Sequence, residues 1–176
     1  VSYAEEVSRQ LFHFSEQSPY LRGVNWIMPM EAGIRLISLS WIAVFLADYL
    51  RTHNRLCGLI EKLMLLHIRY IINNYAAYSS ANNHLVGEAA GVFIASFFVN
   101  SEPENHRRRK EAYEILCREI IRQHHTDGVN KENGIHYQMF ALDFFLQAGI
   151  LGMRNGISFP KSYWTMISKS AEFLAA

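Results

Sequence analysis

The stretch Leu85-Val86-Gly87-Glu88-Ala89-Ala90-Gly91-Val92-Phe93-Ile94-Ala95-Ser96-Phe97-Phe98-Val99 decides the fold class. It carries a single charge, Glu88, and wound as a helix it has no polar face, so it reads as a helix buried on most sides. A helix of that kind needs other helices packed around it, and the flanking sequence supplies them. Upstream, Ser2 to Gln17 places Val7, Leu11 and Phe14 at helical spacing before Ser18-Pro19 stops it. Met30 to Thr52 then reads as one long apolar helix with Pro29 near its first turn. Asn54 to Tyr78 follows, with Leu56, Ile60, Leu63, Ile68 and Ile71 in register. Downstream, Pro103 opens a helix with Tyr113, Leu116 and Ile120 on one face. Gly134 to Leu151 forms an aromatic-rich helix, and Pro160 begins a last one that runs to Ala176. No run alternates with period two for long enough to be a strand. The expectation is an all-α chain of about seven helices, joined by short polar breaks into antiparallel hairpins at the cadence of a solenoid or a toroid.

Composition narrows the function classes. The chain has 176 residues, half of them hydrophobic and 19% charged, which excludes disorder and suits one helical domain spanning residues 1–176. The net charge of +1 provides no global field toward nucleic acid. The longest apolar run, Leu36 to Ala47, is framed by Arg35 and Asp48 and falls short of the ~18–20 residues of a membrane span. No leader pattern appears at the start. Cys57 and Cys117 fit no metal or disulfide framework and are expected to be buried thiols. The uncapped last helix, with Trp164, Ile167 and Phe173, is expected to expose an apolar strip that serves as a homodimer contact.

Three stretches place polar groups at the starts of apolar helices. The first is Asn25-Trp26, followed by Met30, Glu31 and Arg35. Glu31 and Arg35 stand one turn apart and can form a buried ion pair, whereas Asn25 and Trp26 could instead line a groove where the indole stacks on a sugar. The second is Asn82-Asn83-His84, followed by Glu88 and Gly91, where either asparagine could be an N-cap. One His and one Glu are too few for a zinc site. The third is Asp127-Gly128, followed by Glu132, Gly134, His136, Tyr137 and Gln138, with the Asp-Gly pair making a turn. The neighbouring His124 and His125 point to different sides of a helix, so no metal is expected there either.

Together, Asn-Trp-x-x-x-Met-Glu-x-x-x-Arg, Asn-Asn-His-x-x-x-Glu-x-x-Gly and Asp-Gly-x-x-x-Glu-x-x-x-x-Tyr resemble the helical N-terminal domain of heparinase II/III-type polysaccharide lyases. The resemblance spans about Gly23 to Leu146. It implies an incomplete α/α toroid whose cleft binds an acidic polysaccharide or oligosaccharide, and β-elimination at a uronic acid without a cofactor. By that likeness Asn83 neutralises the uronate carboxylate, His84 is the neighbouring histidine that some members use as base, and Tyr137 donates to the glycosidic oxygen and can also take the C5 proton. Substrate contacts are expected from Arg22, Asn25, Trp26, His136 and Gln138. The family often has Tyr-His where this chain has Tyr137-Gln138, and Ser where it has Gly134. The likeness also implies a periplasmic or secreted protein and a C-terminal β-sandwich that supplies the second wall of the cleft. This chain is then the helical part of a longer lyase.

The chemistry suits these residue types. Removing a proton α to a carboxylate builds charge that only well-placed donors stabilise, and an amide beside an imidazole provides them without a metal. A base and an acid must then complete the proton transfers. A helical glycan-binding or protein-interaction scaffold without turnover is the competing expectation.

Overall fold

The computed structural model describes residues 2–77, 81–99 and 103–176. Among them the chain is α-helical, with no β-strand. The helices are α1 (Tyr3–Gln17), α2 (Pro29–Phe45), α3 (Ala47–Leu50), α4 (Asn54–Ile72), α5 (Asn83–Ala95), α6 (Pro103–Arg122), α7 (Ile135–Arg154) and α8 (Lys161–Ala175). Local signals set most boundaries. Ser2 and Glu5 form a reciprocal capping box at α1, Pro29 occupies the first turn of α2, and Pro160 is the N-cap of α8.

The expected helix from Met30 to Thr52 is broken. Leu46 leaves helical geometry at φ −103°, ψ 17°, and its N–H is shared between the carbonyls of Ile42 and Val44. A single turn, α3, follows before α4, giving eight α-helices among the described residues where seven were read. The apolar run passes through the break to Ala47, so periodicity alone could not mark it. The end expected for α4 at Tyr78 lies outside the described residues; α4 itself stops at Ile72.

The helices pair as antiparallel hairpins. Along α2 and α4, the Tyr70 hydroxyl donates to Trp26 O, while Arg35 meets His67. Along α5 and α6, Asn105 Nδ2 donates to Ser96 O, and Gln123 Nε2 donates to Asn82 O. Along α7 and α8, the Tyr163 hydroxyl donates to Phe145 O, and Ser170 Oγ donates to Gly128 O just ahead of α7.

α2, α5 and α7 lie side by side and run in the same direction. Met30 and Phe144 both flank Gly87 near the start of α5, while Phe93 near its end approaches Gly152 of α7. α4, α6 and α8 cover them from behind. α5 is central, and from Leu85 to Ala95 every residue is buried. Its packing on α2 relies on glycine. A Cβ at Gly33 would stand 2.5 Å from Gly87 O, and one at Gly91 would stand 2.6 Å from Gly33 Cα. The small residues of the founding stretch therefore let two backbones touch.

Two surface expectations are corrected. Cys57 is exposed and Cys117 half-buried, because α4 turns Leu56, Ile60, Leu63 and Met64 inward and leaves Cys57 outside. The α8 strip is not laid bare: Ile167 is buried and Trp164 is half-buried over Gly149, leaving Phe173 exposed. Exposed apolar surface instead borders a groove of about 180 Å³ between α2 and α7, where Trp41, Val44 and Ile150 meet Ile94 and Phe98. No described helix is long and apolar enough to cross a membrane.

Candidate functional site

Because α2, α5 and α7 run parallel, their N-termini and the three polar stretches share one end of the molecule. At the centre of that end is the start of α5. Asn82 is the N-cap, its side-chain oxygen accepting from the His84 N–H at 3.0 Å. Asn83 is the first helical residue, 3% exposed, and its backbone N–H and one Nδ2–H go to one carboxylate. Its backbone N–H donates to Glu132 Oε1 at 2.9 Å, and its side-chain Nδ2 donates to Glu132 Oε2 at 2.6 Å. His84 follows, half-buried, and is not covered by the core as the rest of α5 is.

Glu132 belongs to a loop, residues 123–134, that is pinned from several sides. Gly128 sits at φ +96°, and a Cβ there would stand 2.5 Å from the backbone of Lys169 in α8, so the Asp-Gly turn is required by conformation and by space. Asp127 Oδ1 accepts from the Val129 N–H, and Asn130 Oδ1 accepts from the Glu132 N–H at 2.9 Å. The Lys131 N–H donates to Gln123 O. Gln138 completes the anchorage. Its Oε1 accepts from the Asn130 N–H at 2.5 Å, and its Nε2 donates to Gly128 O at 2.9 Å. Gln138, expected to meet substrate, has both ends of its amide spent on loop backbone instead.

Tyr137 and His136, on the first turn of α7, are exposed, with Tyr137 at 50%. The tyrosine ring lies against Gly134, where a Cβ would stand 2.9 Å from Tyr137 Cδ2. Glycine at 134 thus leaves the ring a position that a Cβ would crowd.

The Asn25-Trp26 stretch does different work from the one expected. Trp26 is buried, its Nε1 donating to Ser18 O at 3.3 Å, with its ring packed among Tyr20, His67 and Tyr70. An indole enclosed on those sides cannot stack on a sugar. Asn25 Nδ2 donates to Ser18 Oγ at 2.6 Å, and Asn25 O accepts from Arg35 Nη2. Arg35 Nε donates to His67 Nε2 at 3.0 Å, which fixes the imidazole as the tautomer whose Nδ1–H donates to Leu63 O. Burial first, and the Arg35 charge with it, hold the His67 pKa down at about 4. The Glu31–Arg35 pair is loose at 3.8 Å, with Glu31 half in solvent, and is not the buried lock considered above. Arg22 is exposed on the turn before this module.

Sequence reasoning did not single out His67 or Glu132 as working residues. A lone histidine on an apolar helix gives no signal. Glu132 does have one, its fixed place five residues before Tyr137. Glu88, one turn beyond His84, is fully buried. Its Oε2 accepts from the Ala76 N–H at 2.7 Å, and burial pushes its carboxyl up to about 7.

A family model described as the heparinase II/III N-terminus matches residues 2–176. The chain is 33% identical over 121 residues to a protein named heparin-sulfate lyase from Bacteroides stercoris, covering 66% of this chain and 18% of the relative. It superposes on the solved structure of the heparinase III BT4657 gene product with a TM-score of 0.70 at 26% identity, covering 98% of this chain and 30% of that one. It also superposes on the heparan sulfate lyase HepC from Pedobacter heparinus with a TM-score of 0.64 at 22% identity, covering 98% of this chain and 28% of that one; this likeness concerns the fold. The chain thus spans less than a third of the length of these relatives.

Proposed function

The chain belongs to the heparinase II/III N-terminus family, and from that premise we propose that it is the helical part of a polysaccharide lyase cleaving a heparin-like, uronic acid-containing glycan by β-elimination. The observation that supports this reading is the bond from Asn83, at the first turn of α5, to Glu132, in the loop that leads into α7 five residues before the exposed Tyr137, with the half-buried His84 next to Asn83. A uronate carboxylate set against the start of α5 meets the remaining Nδ2–H of Asn83 and the positive end of the helix dipole. As the C5 proton leaves, charge grows on that carboxylate, so these donors act most strongly where the barrier lies.

The steps balance within the substrate and these side chains. A base, His84 or Tyr137, takes the C5 proton. The freed electron pair forms the C4–C5 double bond as the bond from C4 to the glycosidic oxygen breaks. The Tyr137 hydroxyl gives its proton to the departing oxygen. A second wall of the cleft, from a C-terminal β-sandwich beyond this chain, would close the site against water.

The test is absorbance near ~232 nm, where an unsaturated uronate absorbs, on the full-length protein that carries this chain. Wild type should generate the signal from heparan sulfate. Tyr137→Phe, which removes only a hydroxyl, should reduce turnover ~10²-fold or more with the fold unchanged. Glycan binding without any product from wild type would replace the lyase reading with that of a binding scaffold.

A further inference from the structure

We propose that Glu132 is a positioning residue for Asn83, fixing which edge of the amide faces the rim; the inference rests on the lyase reading above. A single carboxylate takes the backbone N–H and the side-chain Nδ2–H of the same residue, at 2.9 and 2.6 Å. An asparagine amide held only by its own rotamers can present nitrogen or oxygen to a ligand with little difference in energy. The Glu132 clamp removes that freedom. A carboxylate accepts and cannot donate, so only the nitrogen end of Asn83 can face it. The remaining Nδ2–H is then committed to one direction, and the carbonyl oxygen, which would repel a uronate, is turned away from Glu132.

The clamp is itself held firm. The Glu132 N–H is fixed by Asn130 Oδ1, and the Asn130 N–H is fixed by the buried Gln138 of α7. The loop therefore carries the orientation of α7 to the first residue of α5, coupling the helix of Tyr137 to the amide of Asn83 across 49 residues of sequence. The Glu132 charge sits at the positive end of α5 and is met by two N–H groups, which offsets the cost of placing an anion near the site of an anionic substrate.

The test is a double-mutant cycle in the full-length protein, comparing wild type, Glu132→Gln, Asn83→Ala and the double variant on heparan sulfate at ~232 nm. Glutamine keeps the size but has one acceptor; with its oxygen on the backbone N–H, which cannot turn, its NH₂ faces Asn83 Nδ2, so the Asn83 amide must flip or swing away. The expected result is a fall in kcat of about tenfold or more with KM little changed, because the lost donor acts on charge that develops during reaction. In the Asn83→Ala background, Glu132→Gln should have no further effect on kcat, whereas a merely structural role would reduce it there too. The side-chain amide resonances of Asn83, followed by ¹⁵N NMR, should shift and lose protection from solvent exchange in Glu132→Gln. An active wild type with additive effects, or with unmoved Asn83 resonances in Glu132→Gln, overturns the positioning role. A wild type that forms no product overturns the lyase reading itself, and unmoved resonances would then separately overturn the clamp.

Discussion

Replacing Gly33 or Gly91 by alanine should unseat the central helix pair. The new Cβ at residue 33 would lie 2.5 Å from Gly87 O and 3.0 Å from Gly87 C; at residue 91 it would lie 2.6 Å from both the Cα and the O of Gly33. All of these are backbone atoms, so no rotamer can yield, and α2 and α5 must separate by roughly 1 Å to restore ordinary contact. Overpacking of this kind costs about 1–3 kcal/mol, and a rigid backbone obstacle belongs at the upper end. Alanine returns about 1 kcal/mol of helix propensity at each site. The net expectation is a loss of about 2 kcal/mol, or roughly 4–8 °C in Tm for a domain of this size. Gly58 in α4 is the control. It has nothing within 4 Å of a built Cβ, so Gly58→Ala gains the same propensity with no clash and should raise Tm by about 2–4 °C. Thermal melts of the three variants, followed by circular dichroism, measure both signs together. A Gly33→Ala protein that melts at or above wild type would refute the claim that the two backbones must touch.

Buried Glu88 sets one pH slope on stability, and buried His67 and His124, both held down by burial, set the opposing one. Glu88, pushed up to about 7, keeps its proton in the folded chain after the unfolded chain has released its own near 4.5, so its contribution declines as pH rises between those values. His67, pushed down to about 4, stays neutral when folded while the unfolded chain protonates near 6.5, so its contribution rises with pH between about 4 and 6.5. Glu88→Gln should therefore leave stability climbing from pH 4 to 6.5 in urea titrations; a profile still flat or falling there would show that the two buried histidines do not titrate as their burial implies. Gln138→Ala strips a partner from the Asn130 N–H and from Gly128 O. It should cost about 2–4 kcal/mol and speed hydrogen exchange across residues 128–134. Unchanged exchange in that loop would mean that Gln138 does not hold it.

The sequence by itself determined that the protein is helical and where most helices lie, because apolar periodicity, prolines and capping residues are local signals. The all-apolar stretch from Leu85 announced a central helix, and every residue of α5 from there on is buried. The Asn82-Asn83-His84 stretch declared a capped helix start, and Asn82 fills the cap. It could not say which face of each motif is working chemistry and which is scaffold. Trp26 and Gln138 have the composition of ligand contacts, yet both are enclosed by partners remote along the chain. The break at Leu46 was hidden because the apolar run passes through it to Ala47, and the outward turn of Cys57 depends on which stripe of α4 finds neighbours. The pairing of Asn83 with Glu132 was decided by tertiary structure alone. Periodicity reports how much of a helix is covered, whereas a hydrogen bond between residues 49 apart exists only once α5, α7 and the loop between α6 and α7 have packed to bring donor and acceptor within 3 Å.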